Sequence, residues 1–173
     1  FIVLFSFFFY YTLYILFPTA GPQFYFHAIG LDKSQAGNFP QVGYYFDKHQ
    51  ELLSPGLNSG FFSQMVQNTQ QVGERPTAAF PSSHVGISTL IFILILKNRR
   101  YIFFSMLFPI YLALVAATVY IQAHYVIDVI AGLGTSVLFY FLGSIAHKEF
   151  TRKHLGISEM SAMFLKERAK MRH

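Results

Sequence analysis

The chain has 173 residues, of which 53% are hydrophobic, 18% aromatic and 12% charged, with a net charge of +5. A soluble domain carries about 25% charged residues, so this composition excludes an ordinary soluble enzyme and reads as an integral membrane protein. The absence of cysteine excludes disulfide and thiolate chemistry. No Gly-rich nucleotide loop, Cys/His zinc pattern or aromatic-basic RNA motif is present, so no nucleic-acid partner is expected.

Taken in order, four apolar segments are long enough to span, or nearly span, a bilayer, which needs about 20 residues. The first is Phe1 to about Phe17, stopped by Pro18. It lacks a basic leader and a small-residue cleavage site, so it does not read as a signal peptide. Phe1 is not a start methionine and lies inside an apolar run, so the chain is expected to be a fragment of a longer one. The segment from Thr19 to Phe80 is too long to be a plain connector. Within it Gln41–Leu53 and Phe61–Val72 read as short helices, the latter with an apolar face of Phe61, Phe62, Met65, Val66, Thr69 and Val72. Such a helix could lie in the membrane interface as a wall over a lipid head group, or simply pack on its own bundle. His27 and His49 have no partners at metal-ligand spacing and read as surface residues. Asp32, Asp47, Glu51 and Glu74 read as solvated charges.

The second segment, from about His84 to Leu96, follows Arg75-Pro76-Thr-Ala-Ala-Phe-Pro81-Ser82-Ser83-His84. As a helix it would begin with unpaired N–H groups and the positive end of a dipole, a natural phosphate site. Pro81 suits a helix entrance, and Ser82 or Ser83 can cap it. Arg75 adds a forked cation that matches phosphate oxygens. His84 can move a proton beside the bound group. The plainer alternative is an ordinary Ser-capped helix with a chance histidine.

The third segment, Tyr101 to about Ile121, carries Pro109 and a possible kink. It leads into Gln122-Ala-His124-Tyr-Val-Ile-Asp128. Histidine and aspartate four apart share a helix face. A carboxylate on one ring nitrogen would fix the tautomer and make His124 a candidate nucleophile toward phosphorus. Ionisable residues at a membrane segment are costly and usually functional, although a self-satisfied buried pair is the alternative. The fourth segment, about Tyr125 to Ala146, contains Gly132, Gly134 and Gly143, which either permit close helix contact or merely loosen the helix. The tail from His147 to His173 mixes basic and apolar residues, and reads as a helix on anionic lipid or a solubilising extension.

Pro81-Ser82-Ser83-His84, Arg75-Pro76 before it and His124-x-x-x-Asp128 after it resemble the three motifs of the type 2 phosphatidic acid phosphatase (PAP2) superfamily, over about residues 70 to 145. The resemblance implies that His124 forms a phospho-enzyme, Asp128 orients it, His84 protonates the leaving oxygen and Arg75 holds phosphate. Members commonly have six membrane helices, so the resemblance also implies helices ahead of Phe1. Three departures from the pattern stand out. Asn68 stands where the first-motif lysine is usual, Ser83 replaces a glycine, and Ala117-Thr118 stand where Ser-Arg is usual. Two phosphate-binding cations are therefore missing. The forms Phe80-Pro-Ser-x-His84 and His124-Tyr125-x-x-Asp128, and more loosely Phe17-Pro-Thr-Ala-Gly-Pro22, are similar to the inositol phosphorylceramide and sphingomyelin synthase branch.

Charge supplies an independent orientation. Lys97, Arg99 and Arg100 crowd the turn between the second and third segments, and seven of the thirteen Lys and Arg lie beyond Ala146. Basic residues mark the cytoplasmic side, which puts the long loop outside and brings Arg75, His84 and His124 to one membrane face. The sequence thus leads to an all-α polytopic transmembrane helix bundle. Residues 1–147 form its catalytic domain, residues 19–80 its outer loop, and residues 148–173 a basic cytoplasmic tail. The expected activity is a lipid-phosphate phosphatase with catalytic His124, His84 and Asp128 and phosphate ligands Arg75, Ser82 and Ser83. No metal or other cofactor is expected, because donors and charge hold the transition state. A phosphotransferase and a non-catalytic binding protein are the alternatives. The vanadate-haloperoxidase relatives, being soluble, do not fit. Substrate and membrane lipids are the expected partners, and compact loops favour a bacterial inner membrane with the site on its periplasmic face.

Overall fold

The computed structural model describes residues 1–49, 60–61, 64–65, 68 and 76–170. Among them the regular structure is helical: α1 (Ile2–Leu16), α2 (Pro22–Ile29), α3 (Leu31–Gln35), a 3-10 turn (Gly43–Asp47), α4 (Ser83–Lys97), α5 (Tyr101–Tyr120) and α6 (Val126–Lys170). The only extended pairing among the described residues is a single parallel bridge between Thr19 and Ala78. The expected segments are α1, α4, α5 and the first half of α6. Two helices, Tyr101–Tyr120 and Val126–His154, are long and apolar enough to cross a membrane, whereas Ile2–Leu16 and Ser83–Lys97 are shorter apolar helices.

Helix α4 packs on α6, α5 and α1, and α1 packs on α6. The seam between α4 and α6 is close because both carry glycine where they cross. A Cβ on Gly132 would stand 2.6 Å from the Ser82 carbonyl oxygen, and one on Gly86 would collide with the Tyr10 hydroxyl. Gly143 is also tight, with Ile2 Cγ2 3.0 Å from a would-be Cβ, whereas Gly134 faces open space. Of Gly132, Gly134 and Gly143, two therefore permit close contact. Tyr10 fills the junction. Its ring meets Phe139 edge-on at 5.0 Å, and its hydroxyl lies 2.7 Å from Thr135 Oγ1. Between α4 and α5, Phe92 packs on Phe104 and Tyr111, and Thr89 Oγ1 lies 2.8 Å from the Tyr111 hydroxyl. Pro109 sits inside α5, which runs unbroken from Tyr101 to Tyr120.

The helices alternate in direction. Phe1 stacks on Phe150 and lies tilted against His147 at one end, where Lys97 also bonds the Tyr140 hydroxyl. At the other end Tyr14 reaches Pro81 and Ser83. Helix α6 continues without a break past residue 147 to Lys170, so the expected boundary between domain and tail falls inside one helix.

The loop from 19 to 80 differs from expectation at its start. Helices α2 and α3 occupy it, with Gly21 and Pro22 opening α2 and Gly30, at φ 83°, closing it. Proline at the first helical position and glycine after the last are the usual punctuation of a helix. The expected helix Gln41–Leu53 is represented by the short 3-10 turn, and its end lies outside the described residues, as does most of Phe61–Val72. His27 and His49 are exposed, the latter stacked on Tyr45 at 4.3 Å.

Candidate active site

The second motif folds as the start of α4. Ser82 is the N-cap, its Oγ accepting from the Val85 N–H at 3.4 Å, while its own N–H donates to the Asp128 carbonyl at 3.0 Å. It is fully buried, so its polar groups serve the helix junction rather than an open surface. The Ser83 N–H donates to the Tyr14 hydroxyl at 3.0 Å, and that hydroxyl donates to the Pro81 carbonyl at 3.0 Å. Both serines expected to meet phosphate therefore spend these backbone donors inside the protein. Of the two, Ser83 faces the cavity described below.

The third motif departs from the expected helical arrangement. Helix α6 begins at Val126, so His124 lies in the turn before it, held by its N–H to the Thr118 carbonyl at 3.0 Å. Its Nδ1 is 2.8 Å from the Ala79 carbonyl oxygen and 3.8 Å from Asp128 Oδ2. A carbonyl can only accept, so Nδ1 carries the hydrogen and the Nε2 lone pair is left for chemistry. The Asp128 carboxylate accepts instead from the Tyr125 N–H at 2.8 Å. This is the third-residue half of a capping box: the side chain reaches back to the N-cap amide and places negative charge in the first turn.

The two imidazoles meet. Their ring centroids are 5.8 Å apart with planes inclined by 60°. His124 is 4% exposed, whereas His84 is exposed. Both line a cavity of about 550 Å³ between α1, α2, α4 and the α5–α6 turn. Its polar lining includes the two histidines, Ser83, Ser88 and Gln23, and the rest is largely aromatic and aliphatic, with Phe7, Tyr10, Tyr11, Phe24, Ile87 and Ile91. Arg75 lies outside the described residues. Among the described residues no group of three or more His, Cys, Asp and Glu is arranged to hold a metal ion.

The segment from Pro18 to Gln23 joins the motifs. Thr19 accepts from Ala79 N–H at 3.2 Å through its carbonyl and from Phe80 N–H at 2.9 Å through Oγ1. The Gly21 N–H donates to the Pro76 carbonyl at 3.3 Å, and the Gln23 N–H to the Gln122 carbonyl at 3.0 Å. Gly21 must be glycine-sized, because a Cβ there would lie 2.7 Å from the Ala123 carbonyl oxygen. Sequence reading missed Tyr14, Ala79 and Gln23 as parts of the site. Only the Gly-Pro and Gly punctuation around α2 offered a signal, and it marked the helix rather than the contact.

The sequence profile of the PAP2 superfamily matches residues 1–142. The chain belongs to the PAP2 superfamily. This is a helical membrane fold whose members are in general phosphoesterases or phosphotransferases. No curated protein and no solved structure matches the chain. Where the PAP2 pattern has its third-motif arginine, this chain places Thr118, 7% exposed and with its hydroxyl bonded to the Val115 carbonyl at 2.8 Å.

Proposed function

We propose that this PAP2 protein is a membrane lipid-phosphate phosphatase that works through a phosphohistidine at the outer membrane face. One observation carries the reading: a buried and an exposed imidazole, 5.8 Å apart, both line one largely apolar cavity. In the proposed reaction the Nε2 lone pair of His124 attacks phosphorus in line, and the bond from phosphorus to the lipid oxygen breaks. His84, protonated, gives its proton to that leaving oxygen. Water then attacks the phosphoryl group on His124 while His84 takes a proton from it, and phosphate leaves. Arg75 and the hydroxyl of Ser83, which lines the cavity, would hold the phosphoryl oxygens. The carboxylate of Asp128, 3.8 Å from Nδ1, faces the positive charge that forms on the ring. The apolar wall would receive the proximal part of the lipid chain.

The same reading makes the protein multi-pass, with residues 1–147 catalytic, the 19–80 loop outside and the basic segment 148–173 in the cytoplasm. A bacterial inner membrane with a periplasmic site fits the compact loops. The chain has no native cysteine, which makes labelling clean. In intact cells an impermeant maleimide should modify Gln35→Cys and spare Asn98→Cys, and the reverse pattern would invert the topology.

A second reading has an alcohol in place of water, moving a phospho-head group between lipids. The forms Phe80-Pro81-Ser82-x-His84 and His124-Tyr125-x-x-Asp128 favour it. The deciding experiment is a lipid-phosphate screen on full-length protein with labelled donors, with and without inositol or other alcohols. Free phosphate supports the phosphatase and a new labelled lipid the transferase. His124→Ala and His84→Ala should each lower turnover by at least about a hundredfold with folding intact. Unchanged turnover in both would leave only a non-catalytic binding role.

A further inference from the structure

We propose that the end of the bundle away from the histidines binds the phosphodiester head group of an anionic phospholipid, through Lys97 on α4, Lys148 on α6 and Arg99 in the turn beside them. This site is separate from the candidate active site and does not depend on the phosphatase reading. The Lys97 ammonium donates to the Tyr140 hydroxyl and stands 4.8 Å from the centre of that ring. Tyr140, Ser144 and Lys148 are spaced four apart on α6 and so share one face. Ser144 and Lys148 are the further polar neighbours of the same tyrosine. Two ammonium groups from two helices thus converge beside two hydroxyls.

Charge says what fits there. Lys97, Arg99, Arg100, Lys148, Arg152 and Lys153 are all exposed at this end. Among the described residues the only carboxylate at this end is Glu149, and Arg152 already holds it at 2.6 Å. Like charges gathered in this way repel one another. A phosphate between them replaces the repulsion with charge-assisted hydrogen bonds, as in the basic pockets between helices that hold anionic head groups. Leu96, Phe141 and Ile145 adjoin Lys97, Tyr140 and Ser144 in the chain and are 44%, 60% and 61% exposed. They offer apolar surface to acyl chains, which favours a lipid over free phosphate.

The backbone gives an independent sign. Helix α4 ends in a Schellman motif, in which the Arg99 N–H donates to the Leu96 carbonyl at 3.0 Å and the Arg100 N–H to the Ile95 carbonyl at 3.1 Å. Arg99 holds the left-handed position of that motif, at φ 55°, where glycine is the favoured residue. A long side chain kept in an unfavourable backbone position points to a task for the side chain. The exposed Arg99 guanidinium, two residues from Lys97, adds a fork of phosphate donors to the same cationic end.

The test titrates the full-length protein, in neutral detergent, with phosphatidylglycerol or phosphatidylcholine and reads bound lipid by native mass spectrometry. Phosphatidylglycerol should bind at least about tenfold more tightly, and equal binding of the two lipids would overturn the proposal. Lys97→Gln combined with Lys148→Gln keeps an N–H donor at both positions and removes both charges. It should weaken phosphatidylglycerol by about twentyfold, at about fivefold per charge. Lys33→Gln, on α3 at the other end of the bundle, is the control and should stay within about twofold of wild type. Arg99→Gly relieves the left-handed backbone, so it should raise the thermal midpoint measured without anionic lipid, yet bind phosphatidylglycerol about fivefold more weakly. The proposal falls if the double variant or Arg99→Gly binds as tightly as wild type, or if Lys33→Gln binds as weakly as the double variant. Millimolar inorganic phosphate should leave the lipid in place, and its displacement would make the ligand free phosphate instead. The readout is binding, so the presence or absence of lipid-phosphate turnover does not alter the outcome.

Discussion

Gly132→Ala is the sharpest test of how the bundle holds the site. The new Cβ would lie 2.6 Å from the Ser82 carbonyl oxygen, with Gly86 N and Val85 Cβ at 3.4 Å. All of these belong to α4 or its cap, and the nearest is backbone, which cannot swing away as a side chain does. To reach the 3.4 Å of ordinary contact, the α4–α6 seam must open by about 0.8 Å at that point. Overpacking of this kind costs about 1–3 kcal/mol, enough to lower the unfolding midpoint of a chain this size by several degrees. The same seam carries the Ser82 N–H to Asp128 carbonyl bond, which ties the two histidine motifs together. Misplacing catalytic groups by about 1 Å can cost up to a hundredfold, so kcat should fall by about tenfold or more. Thermal unfolding in detergent and turnover of a lipid phosphate measure the two effects. Gly134→Ala is the internal control. It sits on the same helix with no atom within 4 Å of its would-be Cβ, and should gain about 0.5–1 kcal/mol from helix propensity without loss of turnover. If Gly132→Ala were as stable and active as Gly134→Ala, the close seam would not be what positions the site.

Tyr14→Phe removes the hydroxyl that bridges the Pro81 carbonyl and the Ser83 N–H. An orphaned buried donor costs about 1–3 kcal/mol, so the thermal midpoint should drop, and an unchanged midpoint would show that the bridge carries no weight. Ile91→Trp narrows the apolar wall of the cavity. It should raise KM for long-chain lipid phosphates more than for short-chain ones, and equal effects on both would place the chain elsewhere. Turnover by dialysed protein should persist in EDTA, since the proposed steps use imidazole, guanidinium and hydroxyl groups only. Loss of turnover that a divalent cation restores would require a different mechanism.

Much of the fold was legible because helix formation and membrane partitioning are short-range properties. Apolar runs, stopped by Pro18 and by the Asn98–Arg100 turn, mark α1, α4, α5 and the start of α6 whatever they pack against. The order of the motifs and the placement of Lys and Arg were enough to bring His84 and His124 to one end of the bundle, because an α-helix has a fixed rise and alternating spans must return. Local signals were less sufficient at the helix ends. Ser82 was legible as a cap, but that its N–H would be spent on Asp128 was not. The His124–Asp128 spacing suggested a shared helix face, yet the helix starts two residues after His124.

What only the tertiary structure decided are contacts between residues distant in sequence. The Ala79 carbonyl and the His124 ring are 45 residues apart, and the Tyr14 hydroxyl and the Ser83 amide are 69 apart. No local preference encodes such a pair, because the groups involved are a backbone oxygen every residue has and one tyrosine among eleven. Gly132 and Gly134 read alike in the chain, but the 100° turn per residue of a helix sends one into α4 and the other into open space. Sequence determined which groups this protein could bring to phosphorus. Packing decided which of them are free to act, since every hydrogen bond made within the fold is a donor or acceptor withdrawn from the site.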